Sequence, residues 1–265
     1  MHQLTVEAIS TGLDTLRVGR RMTVLDEVGS TNTHALDVVA RSDGSASDGH
    51  VIFAEYQTAG RGRLGRSWHS PRGASLTFTT LLWEPSAALP TARIIMAAAV
   101  AVARGIESST DIDPLIRWPN DIYVKDRKLA GILVEARANG PGPLPVAIGI
   151  GVNCLQQTAH LPVELRDRAT SLEIESRHAV DRAAVARAIL RELDRLFANE
   201  SAISDDAIAA QWRDRSVDAG TRVTLTCNGE TFSGHVVDIN PRSGLLLQLD
   251  SGLRREFDLA TISRQ

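Results

Sequence analysis

Residues 146–153 alternate without a break. Val146, Ile148, Ile150 and Val152 fall on one side, and Ala147, Gly149, Gly151 and Asn153 on the other. A period of two belongs to a β-strand, and β-branched residues suit a pleated surface over a core. A face carrying only small residues leaves space above it. That space takes either a closely packed helix or a flat ligand lying on the sheet. The fold therefore needs a sheet with a core beneath it and something shaped to its other face.

The other segments extend this sheet. Residues 23–28, 51–55, 76–82, 115–118, 121–124 and 128–135 read as strands. Ser30, Thr31 and Asn32 form a helix start ahead of Ala35, Leu36, Val38 and Val39. Residues 92–107 are apolar nearly all round, as in a buried helix. Asp181 caps a long helix with Val185, Ile189, Leu193 and Phe197 on one side, and another helix runs through Ile208 and Trp212. From Thr221 onward the pattern becomes short strands separated by Asn228-Gly229, Pro241-Arg242-Ser243-Gly244 and Asp250-Ser251-Gly252. Asn-Gly between strands is a hairpin signal, and the whole stretch predicts a small β-barrel. The expected domains are 1–217 and 218–265.

Between two of the strands, Gly60-Arg61-Gly62-Arg63-Leu64-Gly65-Arg66 places three arginines and three glycines in seven residues. Glycine permits sharp turns and close backbone approach, and guanidinium forks suit phosphate or carboxylate. The Gly-x-Gly-x-x-Gly match at Gly60, Gly62 and Gly65 is not a dinucleotide fingerprint. A turn and a strand follow it, where the fingerprint requires a helix. No Gly-Lys-Ser/Thr closes a P-loop. A solvated basic loop is the competing reading. The net charge of −3, from 29 basic and 32 acidic side chains, argues against a general nucleic-acid surface and for a focused anion site.

The 265 residues, 43% hydrophobic and 23% charged, fit a soluble protein with a core that needs no disulfides. Cys154 and Cys227 are the only cysteines, and no Cys-x-x-Cys or close histidine pair suggests zinc. Without a signal peptide or membrane span in the sequence, a cytoplasmic location and no membrane partner are expected.

Several segments share one order and spacing: Ser30-Thr31-Asn32, the arginine loop, Arg117-Trp118-Pro119-Asn120-Asp121, Lys128-Leu129-Ala130-Gly131-Ile132-Leu133-Val134-Glu135 and Gly149-Ile150-Gly151-Val152-Asn153. Together they closely resemble the biotin–protein ligases, from about Thr23 to the C-terminus. The resemblance implies an α+β fold. Its parts are a class II synthetase-like mixed β-sheet with helices on one side and a C-terminal SH3-like barrel. It implies that biotin and ATP, with Mg²⁺, form biotinyl-5′-AMP, and that the biotinyl group passes to a lysine of a biotin carboxyl carrier domain.

Carried over by position, the resemblance implies catalytic roles for Lys128, Arg63 and Asp121. It implies a biotin site of Ser30, Thr31, Asn32, Gln57, Gly60, Arg61, Arg63, Trp68, Lys128, Gly131 and Leu133. Arg63, Arg66, Asn120, Lys128 and Asn153 would contact the nucleotide, with residues 155–172 folding over adenine. Asp121 would help to hold Mg²⁺ or orient the incoming lysine. Arg117 stands where the family usually has lysine, so it receives no role. Only 29 residues precede Ser30, too few for the N-terminal helix-turn-helix some members carry, so no DNA binding is expected. The protein is expected to be a monomer or homodimer.

Three other readings compete. A lipoate or octanoate ligase or transferase shares the fold, and Cys154 would be its candidate nucleophile. A non-catalytic biotin sensor would bind the vitamin without turnover. A nucleic-acid protein would use the arginine loop and barrel.

Overall fold

A computed structural model describes residues 3–41, 44–83, 89–137, 144–198, 203–258 and 262–264. The first part of the chain comprises α1 (Val6–Ser10), β1 (Met22–Leu25), α2 (Thr31–Arg41), β2 (Val51–Ala54), β3 (Ser75–Leu82) and α3 (Thr91–Ser109). Strands β4 (Leu115–Arg117), β5 (Asp121–Val124), β6 (Arg127–Ala136) and β7 (Val146–Asn153) follow, then helices α4 (Leu172–Glu175), α5 (Arg182–Phe197) and α6 (Asp205–Arg213).

The seven strands form one sheet in the order β1-β2-β3-β7-β6-β5-β4. The β1–β2 pair is parallel and the rest antiparallel, giving the expected mixed sheet. Strand β7 lies at its centre and is buried along its whole length.

Val146, Ile148, Ile150 and Val152 meet the main core, together with Phe53, Phe78 and the apolar residues of α3 and α5. Those two helices approach closely at Gly105. A Cβ there would lie 2.6 Å from Ile189 Cγ1, so only hydrogen fits. Asp181 accepts from Ala183 N as the N-cap of α5. Helices were expected on one side of the sheet, and that holds for α3 and α5. Helix α2 corrects it for the other side, where Ala35, Leu36 and Val39 pack on Ile52, Leu81 and Ala147. The small face of β7 makes this second layer possible.

The second sheet is antiparallel, made of β8 (Arg222–Cys227), β9 (Glu230–Asn240), β10 (Gly244–Leu249), β11 (Arg254–Phe257) and β12 (Ile262–Arg264). Its order is β11-β10-β9-β8-β12. Asn228 (φ 51°) and Gly229 (φ 84°) turn the β8–β9 hairpin in the left-handed region such a turn needs. Leu225, Leu247, Phe257 and Ile262 of this sheet belong to the same contiguous core as Ile208 and Trp212 of α6. Two bonds from backbone amides, one to a carbonyl and one to a carboxylate, tie β4 and its exit to the segment before β8. Ile116 N donates to Arg215 O (2.8 Å), and Trp118 N donates to Asp218 Oδ2 (2.6 Å).

One buried ion pair anchors the chain's beginning. Arg182 Nη1 lies 2.7 Å from Glu55 Oε2, and each side chain is 3% exposed. Glu55 Oε1 accepts from Leu4 N at 2.6 Å. Replacing Glu55 by Ala leaves a buried guanidinium uncompensated, so the expected loss of stability is about 3–5 kcal/mol. Urea unfolding measures it, and a loss under about 1 kcal/mol would mean water or relaxation satisfies Arg182 instead.

Candidate active site

An open cavity of about 540 Å³ sits on the small-residue face of the sheet. Its floor is Gly131 of β6 with Gly149 and Gly151 of β7, which pair as Gly131↔Gly151 and Leu133↔Gly149. The helix foreseen for the bare strand covers Gly149, and the chain's own Trp68 ring lies over Gly151. A Cβ on Gly149 would overlap the Asn32 carboxamide of α2, and one on Gly151 would lie 2.5 Å from Trp68 Cε2. A helix side chain covers one glycine and an indole ring covers the next.

At one end, the start of α2 presents polar groups held by neighbours. Ser30, Thr31 and Asn32 are buried. Thr31 donates to Gln57 Oε1 from its backbone N (2.8 Å) and its hydroxyl (3.1 Å). Thr79 Oγ1 of β3 lies 2.6 Å from Asn32 Oδ1 and 2.8 Å from Thr31 Oγ1. Asn32 Nδ2 donates to Leu133 O and to Glu135 Oε2 (2.8 Å). The Asn32 amide is thus fully engaged and shapes the wall. Gln57 and Ser30 line the same space.

Over the glycines, the Trp68 ring has a buried Nε1 without a hydrogen-bond partner among the described residues. Lys128 Nζ lies 5.8 Å from that ring's centroid and 2.7 Å from Asp121 Oδ1. Strands β5 and β6 fix this pair, since Asp121 is registered against Gly131 and Tyr123 against Lys128. Asp121 was expected to help hold a metal. Here its carboxylate is engaged by an ammonium. Among the described residues, no group of three His, Cys, Asp or Glu side chains forms a metal cluster.

The arginines diverge. Arg61 Nη2 bonds Glu135 Oε2 (2.9 Å) and Thr33 Oγ1 (3.0 Å), so its charge is already matched. Arg63 Nη1 donates to Asn120 Oδ1 (3.3 Å) and Nη2 to Ile262 O of β12 (2.9 Å). Burial lowers the Arg63 pKa from its ordinary value, and the Asp121 charge works in the opposite direction. Arg66 lines the cavity and is exposed. Leu64 (φ 55°) and Gly65 (φ 73°) make the tight turn that spreads these side chains.

The cavity therefore gathers Ser30, Thr31, Asn32, Gln57, Arg61, Arg63, Arg66, Trp68, Asn120, Asp121, Lys128, Gly131 and Leu133. Two expected members stand outside its lining. Gly60 lies behind the loop, where a Cβ would meet Trp68 O at 2.6 Å. Asn153 is tied down by Thr170 O and Gln156 Nε2, both at 2.9 Å. Arg117, Tyr123 and Arg168 line the cavity without having been assigned to it. Thr79 and Glu135 support it from behind. Only strand register reveals Thr79, through its pairing with Gly149.

Comparison with known proteins agrees with this geometry. A model described as the biotin/lipoate A/B protein ligase family matches residues 26–153. A Bacillus spizizenii protein named bifunctional ligase/repressor BirA is 33% identical over 96% of this chain and 78% of its own length. The chain belongs to that ligase family. A Mycobacterium tuberculosis protein named biotin–[acetyl-CoA-carboxylase] ligase is 33% identical over 87% of this chain and 84% of its own. A solved Aquifex aeolicus biotin protein ligase, in complex with biotin and ATP, superposes with a TM-score of 0.79 at 26% identity. The match covers 93% of this chain and 99% of that one.

Family membership puts weight on the glycine floor, because every function of the site depends on space there. Gly151→Val is expected to displace the Trp68 ring and change the near-ultraviolet dichroism of tryptophan, with the fold retained. The same change made in a Trp68→Leu background should leave that signal unaltered. An equal change in both backgrounds would show that Gly151 acts elsewhere.

Proposed function

We propose that the chain is a biotin–protein ligase, with biotin on the glycine floor and the nucleotide beside the Lys128–Asp121 pair. The observation carrying this is Lys128 Nζ, held 2.7 Å from Asp121 beneath Trp68 in a cavity whose other charged side chains are all arginines. Biotin's ureido ring needs donors and acceptors together. Ser30, Thr31 and Gln57 supply both at one end of the cavity.

In the first step the biotin carboxylate bonds to the α-phosphorus of ATP, and pyrophosphate leaves with the electron pair of the broken P–O bond. Two anions must meet. Lys128 and Arg63 offset their repulsion and stabilise the charge that builds at phosphorus. Trp68 covers the mixed anhydride and limits hydrolysis. The nucleotide enters as its magnesium complex, the ion coordinated by phosphate oxygens and water. In the second step the neutral amine of an acceptor lysine, on a biotin carboxyl carrier domain, attacks the acyl carbon and AMP leaves. Asp121 orients that amine.

In this reading residues 1–217 form the ligase domain and 218–265 the SH3-like barrel, acting as a monomer or a homodimer. DNA has no part in this reading, and Leu4, Ile9 and Val18 of the N-terminal segment pack into the main core. Among the described residues no helix is long and apolar enough to cross a membrane. Both cysteines are unpaired with each other, in keeping with a reducing cytoplasm.

Lys128→Ala and Arg63→Ala are each expected to lower biotin-dependent pyrophosphate release by roughly 10²–10³. Measured label transfer to a carboxylase fragment should fall with it, and full retention in both variants would defeat the reading. A sensor would bind biotin yet release no pyrophosphate even as wild type.

The thioester route of a transferase is disfavoured by Cys154. It is fully buried, its Sγ contacts Val152 O, and burial pushes its thiol pKa up to about 12. Cys154→Ser should therefore keep near-full transfer activity, whereas near-complete loss would revive the thioester route.

A further inference from the structure

We propose that Arg168 binds the pyrophosphate that leaves during adenylation, with Arg117 completing this end of the nucleotide site. The proposal rests on the adenylation reading above. When the carboxylate oxygen bonds to the α-phosphorus, the bond to the bridging oxygen breaks and its electron pair stays with pyrophosphate. Negative charge therefore accumulates on the leaving group, where cationic partners beyond Lys128 and Arg63 add stabilisation.

Six cationic side chains line the cavity, Arg61, Arg63, Arg66, Arg117, Lys128 and Arg168, against one carboxylate, Asp121. Arg61 is matched by Glu135 and Lys128 by Asp121. The Arg168 side chain has neither an ion pair nor a hydrogen bond among the described residues. Its backbone is nevertheless fixed. Arg168 O accepts from Lys128 N at 2.8 Å, and Thr170 N donates to Lys128 O at 2.9 Å, making a parallel bridge of Lys128 with Ala169. A loop of the 155–172 segment is thus clipped beside the catalytic lysine and delivers a guanidinium that remains able to turn. Such a group can hold an anion and then release it.

Arg117 extends the same line. Tyr123 is paired with Lys128 across β5 and β6, and the Arg117 guanidinium stacks 3.8 Å from the Tyr123 ring centroid. Arg117 Nε is buried without a hydrogen-bond partner among the described residues. Its nearest carboxylate, Asp126, is 3.7 Å away and fully exposed, so that pairing is weak. The row runs from the glycine floor through Lys128 towards the β4 edge of the sheet. Adenosine asks for apolar walls and neutral hydrogen-bonding groups. Two under-matched guanidinium groups ask for a polyphosphate.

The test compares wild type, Arg168→Gln and Arg168→Lys in two assays. One is biotin-dependent exchange of labelled pyrophosphate into ATP, and the other is transfer from supplied biotinyl-5′-AMP to a carrier fragment. Arg168→Gln should raise KM for pyrophosphate and for ATP about tenfold or more, with KM for biotin and the supplied-intermediate transfer moving less than about twofold. Arg168→Lys should recover part of the pyrophosphate affinity. An unchanged KM for pyrophosphate overturns the proposal, as does a rise for ATP alone or an equal loss in both assays. If wild type itself exchanges no pyrophosphate, the adenylation reading fails first and this inference goes with it.

Discussion

Contact between side chains and a strand face that has almost none governs this molecule. Gly149 and Gly151 let the Asn32 carboxamide and the Trp68 indole reach the backbone of β7. Through Asn32, the start of α2 is fixed to β6 by Leu133 O and Glu135. Through Trp68, the far end of the arginine loop is brought over Lys128. Larger residues at these two positions would lift both elements away and close the cavity. The opposite face of the same strand is packed against α3 and α5, so the floor beneath these contacts is rigid.

Electrostatics in the cavity follow from this geometry. Guanidinium groups from one loop face different partners: Glu135 for Arg61, and Asn120 with a backbone carbonyl for Arg63. Leu64 in the left-handed region is what turns successive arginines apart. Matched and under-matched cations therefore coexist within one cavity.

Much of this was legible in the sequence, for identifiable reasons. The 146–153 strand, the Asp181 cap and the Asn228-Gly229 hairpin are local patterns, and local patterns survive folding. Lys128 and Asp121 were recognisable through order and spacing along the chain. Their direct pairing was not, because it depends on the register of β5 against β6. Helix α2 was read correctly as a helix, but its side of the sheet is set by the bare face of β7, which sequence periodicity left open to either a helix or a ligand. Arg168 gave no signal, since an isolated arginine in a loop is ordinary until backbone bonds to Lys128 are seen. Gly60 and Asn153 belong to suggestive motifs yet lie outside the lining of the cavity.

The bond from Arg63 to Ile262 O has a wider meaning. It ties the small terminal sheet to an arginine of the cavity through a main-chain carbonyl, whose position any distortion of β12 will move. Alterations far along the chain, with no side chain near substrate, can then behave kinetically like changes at the centre of the chemistry. The two sheets share one contiguous core and are joined at the cavity by this bond.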